Sequence, residues 1–304
     1  MVPKCCSTAS KGKPAWLKKH LPRGGQYQRV TRLLSKAKLH TVCQEANCPN
    51  MFECFSKDTA TFMILGSQCT RHCRFCNITA LPPQPVDPEE PQRLAQTVLD
   101  LNLRYVVVTS VTRDDLADGG ASHFERVIRA VKDAGHEKTQ QTGADNTIQV
   151  EVLIPDFQGD ESALETVVRA QPDVINHNIE TVASLYSRVR PEAQYQRSLD
   201  LIRQVKALDP DMPTKSGLMV GLGETVDELE QTMTDLFNHN CDILTIGQYL
   251  QPTKEHLPVE AYYSPEEFDR LKAMANSIGF NRVASGPFVR SSYQAKELFD
   301  AKAL

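Results

Sequence analysis

Seven short apolar segments recur between residues 61 and 286, and longer amphipathic stretches separate most of them. The apolar segments are 61–66, 105–110, 148–154, 173–179, 214–222, 242–250 and 282–286, and the amphipathic stretches are about 121–134, 161–170, 195–208, 225–238 and 265–278. The apolar segments lack strict alternation, which is typical of parallel strands covered on both faces. The pattern predicts an α/β fold, a partial (β/α)6 TIM-like barrel over 61–286. The alternative is a doubly wound open sheet, but no G-x-G-x-x-G motif follows the first strand.

The segments that flank this barrel differ from it in composition. Residues 1–25 are basic and contain Ser, Gly and Pro, which predicts a flexible leader. They lack the apolar run of roughly 7 to 15 residues found in a signal peptide. Residues 26–60 are predicted to form an N-terminal extension, with a weak helical pattern followed by a loop that contains three cysteines. Residues 287–304 are predicted to form a C-terminal extension that carries the motif Arg-Ser-Ser-Tyr.

The charge balance of the 304 residues bears on the kinds of partner. There are 34 Lys and Arg against 38 Asp and Glu, a net charge of −4 without a basic stripe, so no nucleic-acid partner is expected. No stretch approaches the roughly 18 apolar residues of a membrane-spanning helix, so no membrane association is expected. We therefore expect a cytoplasmic protein. Thiols stay reduced there, and a dense group of cysteines indicates metal or redox chemistry.

Six of the nine cysteines form two groups of three. The second triplet, Cys69, Cys73 and Cys76, has the spacing C-x3-C-x2-C and directly follows the first predicted strand. Three thiolates can hold three irons of a 4Fe–4S cluster and leave the fourth iron open to a small molecule. This spacing, with an aromatic residue before the last cysteine (Phe75), resembles the radical S-adenosylmethionine superfamily. A zinc site is the alternative, but it needs a fourth ligand, and His72 is adjacent to Cys73 and poorly placed.

The first triplet, Cys43, Cys48 and Cys54, has the spacing C-x4-C-x5-C and also lacks a fourth thiolate. Cys241 lies in an apolar segment and is interpreted as a buried small hydrophobic residue. Cys5 and Cys6 fall in the predicted leader and are expected to be free. A fourth ligand to this triplet must therefore be another residue type or come from far away in the sequence.

Taken together, these motifs resemble the lipoyl synthase family. The two cysteine motifs and RSSY (290–293) occur in the family's order, and the resemblance extends from about residue 13 to residue 295. It includes QEANCPN (44–50), VTRDDLADGGA (111–121), NHNIET (176–181), RPEAQYQRSL (190–199), KSGLMVGLGET (215–225) and GQYLQPT (247–253). The resemblance implies a radical enzyme that inserts two sulfur atoms at the sixth and eighth carbons of a protein-bound octanoyl group.

The resemblance also implies the cofactors and their ligands. Cys69, Cys73 and Cys76 would hold a 4Fe–4S cluster that binds S-adenosylmethionine. Cys43, Cys48 and Cys54, with Ser292 as fourth ligand, would hold an auxiliary 4Fe–4S cluster that donates the sulfur. From the residues alone, RSSY reads more readily as a helix start with a serine as N-cap. Ser291 is the runner-up for the ligand.

Polar residues collect where the predicted strands end, which in an α/β barrel is the edge that carries the active site. Six residues are predicted to contact S-adenosylmethionine. Five of them lie at the strand ends, Thr109, Ser110, Asn176, Asn178 and Glu180, and the sixth is Arg190, further along the chain, as a partner for the carboxylate. The alternative for each is a structural role, capping a helix or satisfying loop backbone. Gln248, near the end of the segment 242–250, has the same two interpretations. For the acidic residues of 114–120, the alternative interpretation is that they only cap the next helix.

The resemblance further implies partners. These are octanoylated lipoyl-carrier domains, either 2-oxoacid dehydrogenase E2 or glycine cleavage H protein, and a small electron donor such as ferredoxin or flavodoxin. Two other readings remain open at this point. One is a related radical enzyme whose auxiliary cluster serves binding or electron transfer, although such relatives mostly place these cysteines after the barrel. The other is a zinc-stabilised binding module without catalysis.

Overall fold

The computed structural model describes residues 14–17, 26–46, 48, 50–56 and 61–301. Apart from a 3-10 helix at Ala15–Leu17, the predicted leader over residues 1–25 lies outside the described residues, and so do Cys5 and Cys6. In the part that is described, no helix is both long and apolar enough to cross a membrane.

The main sheet has eight strands, in the order β1, β2, β5, β6, β7, β8, β9, β10. The strands are β1 (His40–Thr41), β2 (Thr61–Ile64), β3 (Gln68–Cys69), β4 (Thr79–Ala80), β5 (Tyr105–Ser110), β6 (Gln149–Leu153), β7 (Val174–Asn176), β8 (Thr214–Val220), β9 (Ile243–Gln248) and β10 (Arg282–Gly286). Strand β1 pairs with β2 in antiparallel fashion, and the other neighbours pair in parallel. Among the described residues β10 pairs only with β9, so the barrel is open at that edge.

Helices connect the parallel strands. The α-helices are α1 (Gln26–Ala37), α2 (Val42–Glu45), α3 (Met51–Ser56), α4 (Glu90–Asp100), α5 (Ala121–Thr142), α6 (Glu161–Arg169), α7 (Tyr186–Val189), α8 (Tyr195–Leu208), α9 (Val226–Asn238), α10 (Pro265–Ile278) and α11 (Ala295–Asp300). Six of them, α4, α5, α6, α8, α9 and α10, each lie between two consecutive parallel strands. The prediction of an α/β fold with six β/α units is therefore confirmed, and the doubly wound alternative is wrong because successive strands are neighbours throughout.

The helix boundaries follow local capping chemistry. Thr225 and Ser264 are the N-caps of α9 and α10, and each forms a capping box with the glutamate three residues later. Pro265 then occupies the first turn of α10, where its missing N–H costs nothing. Helix α5 continues to Thr142, eight residues past its predicted end, and is terminated by Gly143 with a left-handed φ of 69°.

Apolar side chains fill the layer between the sheet and the helices. One cluster joins residues of β2, β5 and β6 to α1, α4, α5 and α6, and a second joins β8, β9 and β10 to α8, α9 and α10. Cys241 is buried in the second cluster, and its thiol donates to the carbonyl oxygen of Ile243, as expected for a small buried side chain.

The segment after β10 turns back across the inner face of the sheet. A Cβ on Gly247 would clash with the carbonyl oxygen of Val289, and one on Gly217 would lie 3.1 Å from Ser291 Oγ. The two glycines in β9 and β8 therefore make room for this segment. On its other side, Asn50 Nδ2 donates to the carbonyl oxygen of Phe288 at 2.7 Å. The RSSY motif is thus held between the sheet and the cysteine-bearing N-terminal extension.

Candidate active site

The second triplet lies in the loop that follows β2, bracketed by the small β3–β4 pair. The backbone N–H groups of Thr112 and Arg71 donate to Cys69 Sγ at 3.3 and 3.5 Å. The N–H of Cys76 donates to the carbonyl oxygen of Cys73 at 3.0 Å. Burial, with a smaller contribution from the charges of the other two thiols of the triplet, raises the pKa of Cys76 to about 12. The three thiols therefore lie within electrostatic reach of one another, where a cationic iron centre would favour their thiolate forms.

Arg71, inside the second triplet, fixes this loop to the two neighbouring strand ends. Its guanidinium donates to both carboxylate oxygens of Asp114, at 2.6 and 2.9 Å, and to Asp156 Oδ1 at 2.6 Å. The Asp156 side chain is fully buried and Arg71 is almost so, and Arg197 lies 3.3 Å from the other oxygen of Asp156. Although burial opposes it, these hydrogen bonds hold the pKa of Asp156 well below its usual range. We call this group the Arg71 clamp.

Charged side chains that follow β7 face the second triplet. Arg190 Nη1 donates to the carbonyl oxygen of Asn178 at 2.9 Å and to the Tyr186 hydroxyl at 3.0 Å. Burial raises the pKa of the Cys73 thiol, and the positive charge of Arg190 opposes that rise. Burial also raises the pKa of Glu180, again opposed by Arg190. An arginine and a carboxylate therefore lie beside the thiols, and they suit the carboxylate and ammonium groups of an amino acid.

Four of the six residues predicted to contact S-adenosylmethionine present buried polar atoms that have no hydrogen-bond partner among the described residues. These atoms are Ser110 Oγ, Asn176 Oδ1, Asn178 Oδ1 and Arg190 Nε. Buried polar atoms are normally satisfied, so a group of them at one end of the barrel indicates a place for a polar ligand. The donors and acceptors fit the amino-acid and ribose groups of S-adenosylmethionine.

Thr109 and Gln248 have structural partners instead. Thr109 Oγ1 donates to the carbonyl oxygen of Leu153 at 2.8 Å, across the β5–β6 pair. Gln248 Nε2 donates to three backbone carbonyls, and its Oε1 accepts the N–H of Tyr263 at 2.9 Å. Both side chains hydrogen-bond to backbone groups, which is the structural role that the sequence left open for them as the alternative.

Two further residues at this end of the barrel were missed. Gln68 Oε1 and Thr181 Oγ1 are also buried without a partner in the described part of the chain. Gln68 directly precedes Cys69, and Thr181 directly follows Glu180. The sequence contained one indication of them, namely that each is adjacent to a predicted site residue.

The acidic residues of 114–120 divide into two roles. Asp118 accepts the N–H groups of Gly120 and Ser122 and so caps the start of α5. Asp114 instead belongs to the Arg71 clamp, and Asp115 pairs with Arg113 at 2.8 Å. Capping explains only one of the three carboxylates.

The first triplet is assembled by α2 and α3. Thr41 caps α2 by accepting the N–H of Gln44 at 3.3 Å, and the N–H of Cys48 donates to the carbonyl oxygen of Cys43 at 3.0 Å. Burial, with smaller contributions from the charges of Cys48 and Cys54, raises the pKa of Cys43 to about 12. The three thiols of this triplet therefore also lie near one another.

The two serines of RSSY face different sites. Ser292 Oγ accepts from Thr61 Oγ1 at 2.8 Å, and the backbone of Thr61 in turn hydrogen-bonds the Cys43 thiol. Ser291 Oγ accepts from Asn178 Nδ2 at 2.7 Å, on the side of the second triplet. Neither serine caps α11, because the N-cap is Gln294, with a φ of 50° and no side-chain cap bond. The helix-cap interpretation of RSSY is therefore wrong.

Each triplet supplies thiols that suit an iron–sulfur cluster. Within the described residues, no three His, Cys, Asp or Glu side chains are grouped so that they could share one metal ion. A cubane cluster needs no such convergence, since each thiolate binds a different iron.

Comparison with known proteins identifies the class. A family model described as the radical SAM superfamily matches residues 63–236. Among solved structures, methylornithine synthase (PylB) is similar with a TM-score of 0.52 at 13% identity, covering 82% of this chain and 69% of that one. SuiB of Streptococcus suis, in a structure with S-adenosylmethionine, gives 0.52 at 10% identity over 75% and 51%. These likenesses concern the fold. The fold and the family model define a radical S-adenosylmethionine enzyme, with a 4Fe–4S cluster and S-adenosylmethionine as cofactors.

A second family model, described as the N-terminal domain of lipoyl synthase, matches residues 5–48. Lipoyl synthase of Alkaliphilus metalliredigens is 53% identical over 290 residues, 95% of this chain and 97% of that protein. Lipoyl synthase of Desulfotalea psychrophila is 55% identical over 288 residues, 95% and 93% respectively. The chain belongs to the lipoyl synthase family. The predicted family is confirmed, and the zinc-module and other radical-enzyme readings are wrong.

The buried imidazole of His177 predicts how stability depends on pH. Burial and Arg190 lower its pKa from 6.5 to about 4, and its two ring nitrogens are bonded to the Ile154 carbonyl and to Ser198 Oγ at 2.9 Å each. The unfolded chain therefore binds a proton near pH 6.5, but the folded chain does so only near pH 4. Stability is full above pH 6.5 and decreases as the pH falls toward 4, by about 3 kcal/mol at 1.36 kcal/mol per pKa unit.

Urea unfolding of the metal-free protein at several pH values measures this effect. His177→Gln is expected to flatten the decrease between pH 6.5 and 4. His136→Gln on the exposed side of α5 is the matched control and should leave the decrease intact. An equally steep decrease in His177→Gln would assign the pH dependence to other groups.

Proposed function

We propose that this enzyme inserts two sulfur atoms into a protein-bound octanoyl group, at its sixth and eighth carbons, and so completes the lipoyl cofactor. The observation that carries the proposal is the arrangement of two thiol triplets, with Ser292 beside the first and an arginine–carboxylate pair beside the second. Family membership supports the same reaction.

Cys69, Cys73 and Cys76 would hold one cluster, and Cys43, Cys48 and Cys54 with Ser292 would hold an auxiliary cluster. When bound, the cofactors supply a 5′-deoxyadenosyl radical that removes hydrogen from each carbon, and the auxiliary cluster supplies the sulfur. Unactivated C–H bonds have no proton that a base can take, so no acid–base pair is assigned among the residues.

The side chains have three tasks. Arg190, Glu180 and Asn178 would bind and orient the amino-acid part of S-adenosylmethionine. The Arg71 clamp keeps the loop of the second triplet in one position relative to β5 and β6. The segment 288–292 lies close against Gly217 and Gly247 and would keep water away from the reacting groups.

Ser292 suits a ligand that has to be released. Iron–sulfur clusters prefer soft thiolates, and a serine oxygen is a harder and weaker partner. Ser292 also has an alternative partner close by, since the Thr61 hydroxyl donates to it at 2.8 Å. A serine at this position can therefore leave more readily than a fourth cysteine would.

We also propose the partners and compartment that this reaction requires. The substrates would be octanoylated lipoyl-carrier domains of 2-oxoacid dehydrogenase E2 or of glycine cleavage H protein. A small ferredoxin or flavodoxin would deliver the electrons. The cytoplasm suits the seven described cysteines, which form no disulfide with one another, because it keeps cysteines reduced.

A single-turnover assay tests the proposal. Reduced, reconstituted protein with about eight irons, as two 4Fe–4S clusters require, is mixed with S-adenosylmethionine and an octanoylated carrier domain. Mass spectrometry of the carrier is expected to show a gain of two sulfur atoms. A carrier whose mass stays unchanged over a full turnover would refute the proposed reaction.

Ser292→Cys tests the role of the fourth ligand. A thiolate should hold the auxiliary cluster at least as firmly, so iron content is expected to stay at about eight per chain while sulfur insertion slows at least tenfold. Iron analysis and mass spectrometry of the carrier measure the two effects. Ser285→Ala is the control. It removes a hydroxyl of β10 that donates to the Phe268 carbonyl oxygen of α10. Undiminished insertion by Ser292→Cys would remove Ser292 from the mechanism.

A further inference from the structure

Asn178 connects the two sites through the serine beside the proposed ligand. Its Nδ2 donates to Ser291 Oγ at 2.7 Å and to Glu180 Oε1 at 3.0 Å. Its backbone carbonyl accepts from Arg190, and its Oδ1 is buried without a partner in the described chain. Asn178 therefore contacts both charged groups beside the second triplet, Arg190 through its backbone and Glu180 through its side chain, and the same side chain contacts the segment that carries Ser292.

Gly217 keeps this contact tight. A Cβ at that position would lie 2.6 Å from Asn178 Oδ1 and 3.1 Å from Ser291 Oγ, so β8 approaches the pair with no side chain in between. The next residue, Ser292, points the other way and accepts from Thr61 at 2.8 Å. A single peptide unit therefore separates the serine that contacts Asn178 from the serine that contacts Thr61.

We propose that Ser291 is a positioning residue that couples occupancy of the S-adenosylmethionine site to the attachment of Ser292 at the first triplet. The inference rests on the proposed function. A ligand that engages the unsatisfied Oδ1 of Asn178 fixes that amide, and the fixed amide holds Ser291 and with it Ser292. Linkage is reciprocal. The factor by which bound S-adenosylmethionine strengthens the attachment of Ser292 is therefore also the factor by which that attachment strengthens the binding of S-adenosylmethionine.

The coupling is measured as the rate at which a chelator removes iron from the first triplet, with and without S-adenosylmethionine. Variants in which one triplet is replaced by alanine assign the two kinetic phases of iron release to the two clusters. In the natural chain, S-adenosylmethionine is expected to slow the phase of the first triplet by about two- to tenfold, the effect of one neutral hydrogen bond. In Ser291→Ala this slowing should disappear, although S-adenosylmethionine still binds within about tenfold of its usual affinity.

Two comparisons separate coupling from general loosening of the structure. Ser285→Ala removes a hydroxyl of the same kind, which donates from β10 to the Phe268 carbonyl oxygen of α10, and should keep the full slowing. In a double-mutant cycle, Asn178→Ala and Ser291→Ala should be non-additive in the release rate.

The outcomes distinguish this inference from the proposed function. If S-adenosylmethionine binds but does not slow iron release in the natural chain, or if Ser291→Ala retains the slowing, the coupling is refuted and the proposed reaction stands. If the reconstituted chain holds only about four irons, one cluster's worth, the auxiliary cluster itself is refuted and the proposed reaction falls with it.

Discussion

Replacing Arg71 with glutamine is expected to destabilise the metal-free protein by about 3 to 5 kcal/mol, the cost of leaving buried charges without their partner. Arg71 is the common partner of Asp114 and Asp156, and the Asp156 side chain has no exposed surface. In the variant Asp156 keeps Arg197, at 3.3 Å, as a charged partner and the backbone N–H of Gln158, at 3.1 Å, as a neutral one. Urea unfolding measures the loss. In the reconstituted protein the loop of the second triplet should also release its iron faster to a chelator.

The hydrogen-bond geometry of the Arg71 guanidinium can be tested separately from its charge. Arg71→Lys keeps the positive charge but cannot bind Asp114 through two parallel bonds and reach Asp156 as well, so it should recover only part of the loss. Arg129→Gln is the control, because Arg129 pairs with Glu125 at 2.7 Å on the surface and exposed pairs contribute little. An Arg71→Gln protein as stable as Arg129→Gln would show that the clamp does not stabilise the loop.

The fold was predictable because its signal is periodic. Seven apolar segments separated by amphipathic stretches predict parallel strands, and each predicted strand contains an observed one. Helix α4 was not predicted. It begins with Glu90 and Pro91, and Glu90 is buried because it accepts the N–H of Leu65 and contacts His123 at 2.7 Å. A carboxylate on the buried side of a helix obscures the amphipathic pattern, and only the tertiary partners explain it.

The site was predictable where a local motif defines it. The two cysteine spacings are local, and so is the RSSY motif. The Arg71 clamp is not local, because Asp114 and Asp156 lie 43 and 85 positions further along the chain. The sequence could not separate Ser291 from Ser292 either. Their difference arises from a turn, closed by the Tyr293 N–H donating to the Arg290 carbonyl oxygen at 2.9 Å, which places Ser291 against Asn178 and Ser292 against Thr61.

The second large effect is expected from the ion pair inside the barrel. Lys215 Nζ lies 2.8 and 3.1 Å from the carboxylate oxygens of Glu151, and both side chains are excluded from solvent. Lys215→Met is expected to cost about 3 to 5 kcal/mol, because it leaves the Glu151 carboxylate buried without a counter-charge. Tyr105 OH and Asn176 Nδ2 still donate to Glu151, at 2.7 and 3.3 Å, but neither is charged. Urea unfolding of the metal-free chain measures the loss.

A second substitution tests whether the unpaired charge is the cause. Glu151→Gln in the Lys215→Met background removes that charge and keeps an acceptor for Tyr105, so most of the lost stability should return. The same glutamine no longer holds Asn176 through a charged acceptor, and Asn176 carries one of the unsatisfied atoms at the proposed S-adenosylmethionine site. The double variant should therefore fold well yet bind S-adenosylmethionine several-fold more weakly, about the effect of one hydrogen bond. Equal losses of stability in the single and double variants would mean that the lost packing of the lysine side chain, and not an unpaired carboxylate, lowers the free energy of unfolding. Full affinity in a well-folded double variant would mean that Glu151 supports the sheet alone, without orienting Asn176.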